Sequence, residues 1–118
     1  MSKIKVLLLT LAIMTTSAYA YNFIGSVPLP GKSIADEKLQ SDTMFSVFSF
    51  GLRIATPDCE QIQITNTEVT KPKKDNKWEE IWTVKACQRT GRLPIEFTIL
   101  PDGTSKFSID YMNVKVAK

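Results

Sequence analysis

Residues 59–87, CEQIQITNTEVTKPKKDNKWEEIWTVKAC, decide the fold of this chain. Residues 61–69 (QIQITNTEV) alternate and are rich in β-branched side chains, the pattern of a half-buried strand. Residues 78–87 (WEEIWTVKAC) repeat that pattern. Between them residues 70–77 (TKPKKDNK) are polar and contain a proline, which predicts a long hairpin loop. A cysteine stands at each end of the hairpin. If Cys59 bonds Cys87, antiparallel partners have numbers that sum to 146, setting Ile62 opposite Val84 and Ile64 opposite Trp82. Both are apolar pairs on one face, as a half-buried sheet requires. The cysteines have the other parity and fall on the opposite face unless a bulge intervenes.

Whether that bond forms depends on the compartment, and the first twenty residues, MSKIKVLLLTLAIMTTSAYA, speak to it. Lys3 and Lys5 give a positive start, residues 6–14 a short apolar core, and Ala18-Tyr19-Ala20 a small-x-small end. That is the layout of a secretory signal cleaved between Ala20 and Tyr21. The apolar core is about half of what a spanning helix needs. The expected address is periplasmic or secreted, an oxidising compartment in which two cysteines favour a disulfide. Redox pairs are usually C-x-x-C and metal sites need further ligands, whereas these cysteines lie 28 positions apart in a chain without histidine. Closing such a loop stabilises a fold by about 3–4 kcal/mol in the chain-entropy model.

Cleavage also changes the charge. The full chain carries 15 Lys and Arg against 12 Asp and Glu, and two of the lysines leave with the leader, so the remainder is near neutral at +1. A charge this small gives little long-range attraction to nucleic acid or anionic lipid. Residues 21–118 suffice for one domain, and a 43% hydrophobic content excludes a disordered chain.

On either side of the hairpin the elements follow in order. Residues 21–31 read as an extended arm with two prolines and a short edge strand over 22–27. Residues 32–40 are polar enough to open a helix. Residues 44–55 (MFSVFSFGLRIA) fit either a helix with a polar stripe at Asp42, Ser46, Ser49 and Arg53, or an alternating strand. Length favours the helix; Gly51 opposes it by about 1 kcal/mol. After Cys87 a turn is expected at Thr90-Gly91, then a third strand over 94–100 (PIEFTIL) with Ile95, Phe97 and Ile99 on one side. Pro101-Asp102-Gly103 is a strong turn signal. Residues 106–116 form a fourth strand whose apolar parity changes near Tyr111, predicting a bulge there. The expected fold is α+β: a single domain over 32–118 with one helix packed on a four-stranded antiparallel meander and one disulfide. The helix should cover Ile62, Ile64, Trp82 and Val84.

The order of arm, helix and meander resembles the cystatin fold. Cystatins inhibit cysteine proteases with a Q-x-V-x-G hairpin; this chain has no such motif, so the resemblance carries over no inhibitory residue. Trp82-Thr83-Val84-Lys85-Ala86-Cys87, followed by Phe97, Asp102-Gly103 and Phe107, is similar to a pattern in small exported Gram-negative proteins of unassigned function. It spans about the last third of the chain. A glycine commonly follows the cysteine there, where this chain has Gln88.

Catalytic sets are scarce. Without histidine there is no Ser-His or Cys-His nucleophile and no ordinary zinc site. No Gly-rich phosphate loop, S-x-x-K or G-x-S-x-G occurs, and no cofactor or metal is implied. The acids Asp36, Glu37, Asp58, Glu60, Glu79, Glu80, Glu96 and Asp110 are expected to be solvated. Two features suit binding: the loop lysines Lys71, Lys73, Lys74 and Lys77, and the arm with Tyr21 and Phe23. The leading expectation is a non-catalytic exported domain that contacts a protein or envelope component. A protease or toxin inhibitor is the alternative, and a small hydrolase using a carboxylate pair comes third.

Overall fold

The computed structural model describes residues 22–118; the proposed leader, its cleavage point and Tyr21 lie outside them. Six strands and one long helix follow one another: β1 (Asn22–Ile24), α1 (Glu37–Ile54), β2 (Gln61–Lys74), β3 (Lys77–Ala86), β4 (Arg89–Ile99), β5 (Ser105–Ile109) and β6 (Lys115–Ala117). The class is α+β, with one helix on one sheet and one disulfide. The sheet is larger than a four-stranded meander and is mixed. Strands β2 to β5 form the antiparallel meander, β1 adds in parallel to the outer edge of β2, and β6 pairs with β4 beside β5.

Residues 44–54 are helical, and Ala55 ends the helix with an extended backbone. Asp36 caps the helix by accepting the Leu39 amide at 2.8 Å, and Arg89 donates to the Ile54 carbonyl at its other end. The polar stripe faces out, with Asp42, Ser49 and Arg53 exposed. Gly51, unfavourable by propensity, sits where the helix meets the sheet: a Cβ there would lie 2.5 Å from Ile62 Cγ2. The helix tolerates its glycine because packing requires it.

The disulfide forms between Cys59 and Cys87, Cα atoms 5.7 Å apart, and its register is offset from the expected one. Ile62 lies opposite Ala86 and Ile64 opposite Val84, a sum of 148. Cys59 precedes the ladder and Cys87 occupies a left-handed turn position (φ 56°), so the bond closes beyond the last paired residues. The face parity survives: Ile62, Ile64, Trp82 and Val84 are all buried. A bulge at Thr65 then changes the sum, bringing Thr67 opposite Trp82 and onto the core face.

Three turns differ from expectation. Instead of a long loop over 70–77, the ladder continues to Lys74↔Lys77 across Asp75 and Asn76, both left-handed (φ 52° and 63°) as a two-residue type I′ turn requires. The turn expected at Thr90-Gly91 falls at Cys87-Gln88, and Gly91 lies within β4 beneath the Phe50 ring. The expected fourth strand is two strands separated by a 3₁₀ turn at Tyr111–Asn113, a larger break than a bulge at the same place. Pro94 explains that break. Its carbonyl accepts the Asp110 amide, so its missing N–H also points to that side of β4, between the segments paired by β5 and β6.

The core lies between α1 and the sheet, built on Val47, Ile62, Ile64, Trp82, Val84, Leu93, Ile95 and Phe97. Three buried polar side chains fasten the segment between β1 and α1 over it. Gln40 accepts the Leu29 amide and donates to the Ala35 carbonyl. Thr67 donates to the Pro30 carbonyl and accepts the Ser33 amide. Glu80, completely buried, accepts Trp78 Nε1 and Trp82 Nε1 at 2.8 Å each and the Ile34 amide at 3.0 Å. Its expected place was in solvent. Residues 78, 80 and 82 share one face of β3, so a carboxylate between two inward tryptophans is carried in with them.

Candidate functional site

The lysine tip is the first expected surface. At the end of the β2–β3 hairpin Lys71, Lys73, Lys74 and Lys77 all emerge into solvent, but they do not act as one cationic patch. Lys71 reaches Glu79 at 3.0 Å, and this hydrogen bond and charge, with a smaller contribution from Glu96, hold its ammonium above its usual pKa. Lys73 lies over the Trp78 ring, 5.4 Å from the centroid. Lys74 and Lys77 flank the turn. Half of the tip is thus already engaged within the fold, leaving a shallow cavity of about 300 Å³ of mixed sign, lined by Glu79 and Glu96 as well as lysines.

The acids do not assemble a hydrolytic pair. Glu79 and Glu96 are cross-strand neighbours, yet Lys71 lies against the first and the second is exposed. Glu80 has its carboxylate oxygens occupied by three N–H donors. Among the described residues no group of three acids or cysteines is placed to hold a metal ion.

The arm behaves differently. Strand β1 brings Phe23 beside α1, where it stacks on Phe48 with ring centroids 4.9 Å apart. Phe48 is buried by this contact, but Phe23 remains 46% exposed. Next to it Phe45 is 78% exposed and Leu52 40% exposed. Phe45, Phe48, Ser49 and Leu52 follow a spacing of three and four, which puts them in one line along the helix flank. With Phe23 they line a cavity of about 360 Å³ that is open to solvent and almost wholly apolar. A phenylalanine so exposed on a helix gains nothing for folding, whereas a group of such residues in contact marks an interaction surface.

Of the sequence candidates, Phe23 is therefore in the groove, the lysines are elsewhere on the hairpin tip, and Tyr21 lies outside the described residues. Phe45 and Leu52 were not singled out from sequence. Their helical spacing with Phe48 was the available signal, but it reads equally well as core. The chain matches no family model, no curated protein and no solved structure.

Proposed function

We propose that this chain is a non-catalytic exported domain that binds another protein or an envelope component through the groove lined by Phe23, Phe45, Phe48, Ser49 and Leu52. The observation that carries the reading is Phe45, which stands mid-helix and 78% exposed amid four other groove residues with no charged side chain among them. Export is supported by the leader pattern and by the disulfide. Among the described residues no helix is long and apolar enough to cross a membrane. A periplasmic or extracellular address fits these features.

Pull-down from envelope extract tests the surface. Phe45→Ser with Leu52→Ser should lose partners that the wild type recovers, while alanine at Lys73, Lys74 and Lys77 should retain them. The reverse pattern would move the contact to the hairpin tip.

A further inference from the structure

The groove borders a strand edge that is unpaired among the described residues. β1 pairs with β2 on one side, where Asn22 donates its amide to the Glu60 carbonyl at 2.9 Å. Backbone groups alternate sides along a strand, so Phe23 turns its N–H and C=O to the opposite edge. Among the described residues no strand of the sheet follows there. Beside that edge lies the apolar groove. A single occupant satisfies both features only if it offers backbone hydrogen bonds and apolar side chains on one face.

We propose that the groove takes an extended peptide segment of a partner, added as a strand to the outer edge of β1 with alternate apolar side chains seated against Phe45 and Leu52. This deepens the proposed function and rests on it. The dimensions agree. A cavity of about 150 Å³ accommodates a benzene ring, so about 360 Å³ takes roughly two large apolar side chains. A strand rising about 3.4 Å per residue places successive same-face side chains about 6.8 Å apart, and a five-residue segment offers two or three of them. Backbone pairing then gives affinity, and the groove selects which side chains are accepted. A second copy of this chain is a poorer occupant, since a stable association buries about 800 Å² on each partner, and five groove residues beside a three-residue edge fall short of that.

The test is an NMR titration of the exported protein with an acetylated, amidated hexapeptide alternating leucine and threonine. Saturable shifts at Phe23 and Phe45 are expected. By mass action the Phe23 amide should exchange about tenfold more slowly once the peptide is at ten times its Kd. Phe45→Ser should weaken binding about tenfold, from the loss of a large apolar contact. Binding that leaves Phe23 amide exchange unchanged would overturn strand addition while leaving the groove as the contact surface. Undiminished binding to Phe45→Ser would remove the groove itself, and with it the proposed function. Shifts that follow protein concentration without peptide would assign the edge to a second copy and overturn the proposal, as would the absence of saturable shifts at millimolar peptide.

Discussion

Replacing Glu80 by Gln probes the most unusual feature of the core. The substitution keeps the shape and removes one acceptor. In the native protein Oε1 accepts from Trp82 and Oε2 from both Trp78 and Ile34. In Glu80→Gln the amide oxygen can keep two of these donors, while the NH₂ group must face the third. One indole N–H loses its acceptor, and the new amide protons gain none in a completely buried site. A hydrogen bond to a charged group contributes about 1.5–3 kcal/mol, and a buried donor left unsatisfied costs about 1–3 kcal/mol. These overlap, so a net loss of about 2–4 kcal/mol is expected. For a domain this size each kcal/mol moves Tm by about 4–8 °C, giving a fall of about 8–32 °C. Urea unfolding followed by tryptophan fluorescence measures the loss directly. A double-mutant cycle with Trp82→Phe sharpens it, because Phe has no N–H to orphan. Glu80→Gln should then cost about 1 kcal/mol less in the Trp82→Phe background than in wild type. A loss below about 0.5 kcal/mol, or strict additivity of the two changes, would refute the assigned hydrogen bonding.

Three further outcomes follow from the packing. Cys59→Ala with Cys87→Ala should lower stability by about 3–4 kcal/mol in urea titrations, and two free thiols in the unreduced native protein would contradict the bond observed between them. Gly51→Ala raises helix propensity yet should destabilise by about 1–3 kcal/mol through overpacking, because its Cβ would lie 2.5 Å from Ile62; thermal unfolding at or above the wild-type midpoint would show that the helix shifts freely. Asp102 accepts the Thr104 hydroxyl and amide, which hold its pKa below the usual value. A depressed folded pKa contributes stability that is present above the unfolded value and is lost as pH falls through the folded one. Asp102→Asn should therefore flatten the acid side of the stability–pH profile, and an unchanged acid slope would contradict it.

Much of the architecture was legible because independent signals converged on it. The period-2 runs around residues 62–64 and 82–84 fixed a strand pair and its buried face, and the cysteines fixed that they pair. Register was a finer matter. Equating the disulfide with a ladder rung misplaced it, since Cys59 and Cys87 lie in the approach to β2 and in a turn. The Asp75-Asn76 turn was hidden among four lysines and a proline, whose polarity resembles a loop although their backbone is strand. Pro94 looked like a strand start and is instead mid-strand, tolerated because β5 and β6 leave a gap beside it. The groove was half legible: Phe23 announced an apolar arm, but nothing in MFSVFSFGL says which phenylalanines lie in the core. Only the placement of α1 on the sheet buries Phe48 and Phe50 and leaves Phe45 outside.

The most direct measurement replaces Phe45 with a photo-crosslinking amino acid in cells that make the full chain, with Arg92 as the control position, exposed on β4 between the buried Gly91 and Leu93 and so on the sheet face away from the core. At 78% exposure Phe45 can be changed without disturbing the core. A discrete adduct is expected from position 45 that is absent from position 92 and is lost with Leu52→Ser. Adducts from position 92 alone, or none from position 45 under conditions where the protein is folded and exported, would contradict the groove as the working surface of this chain.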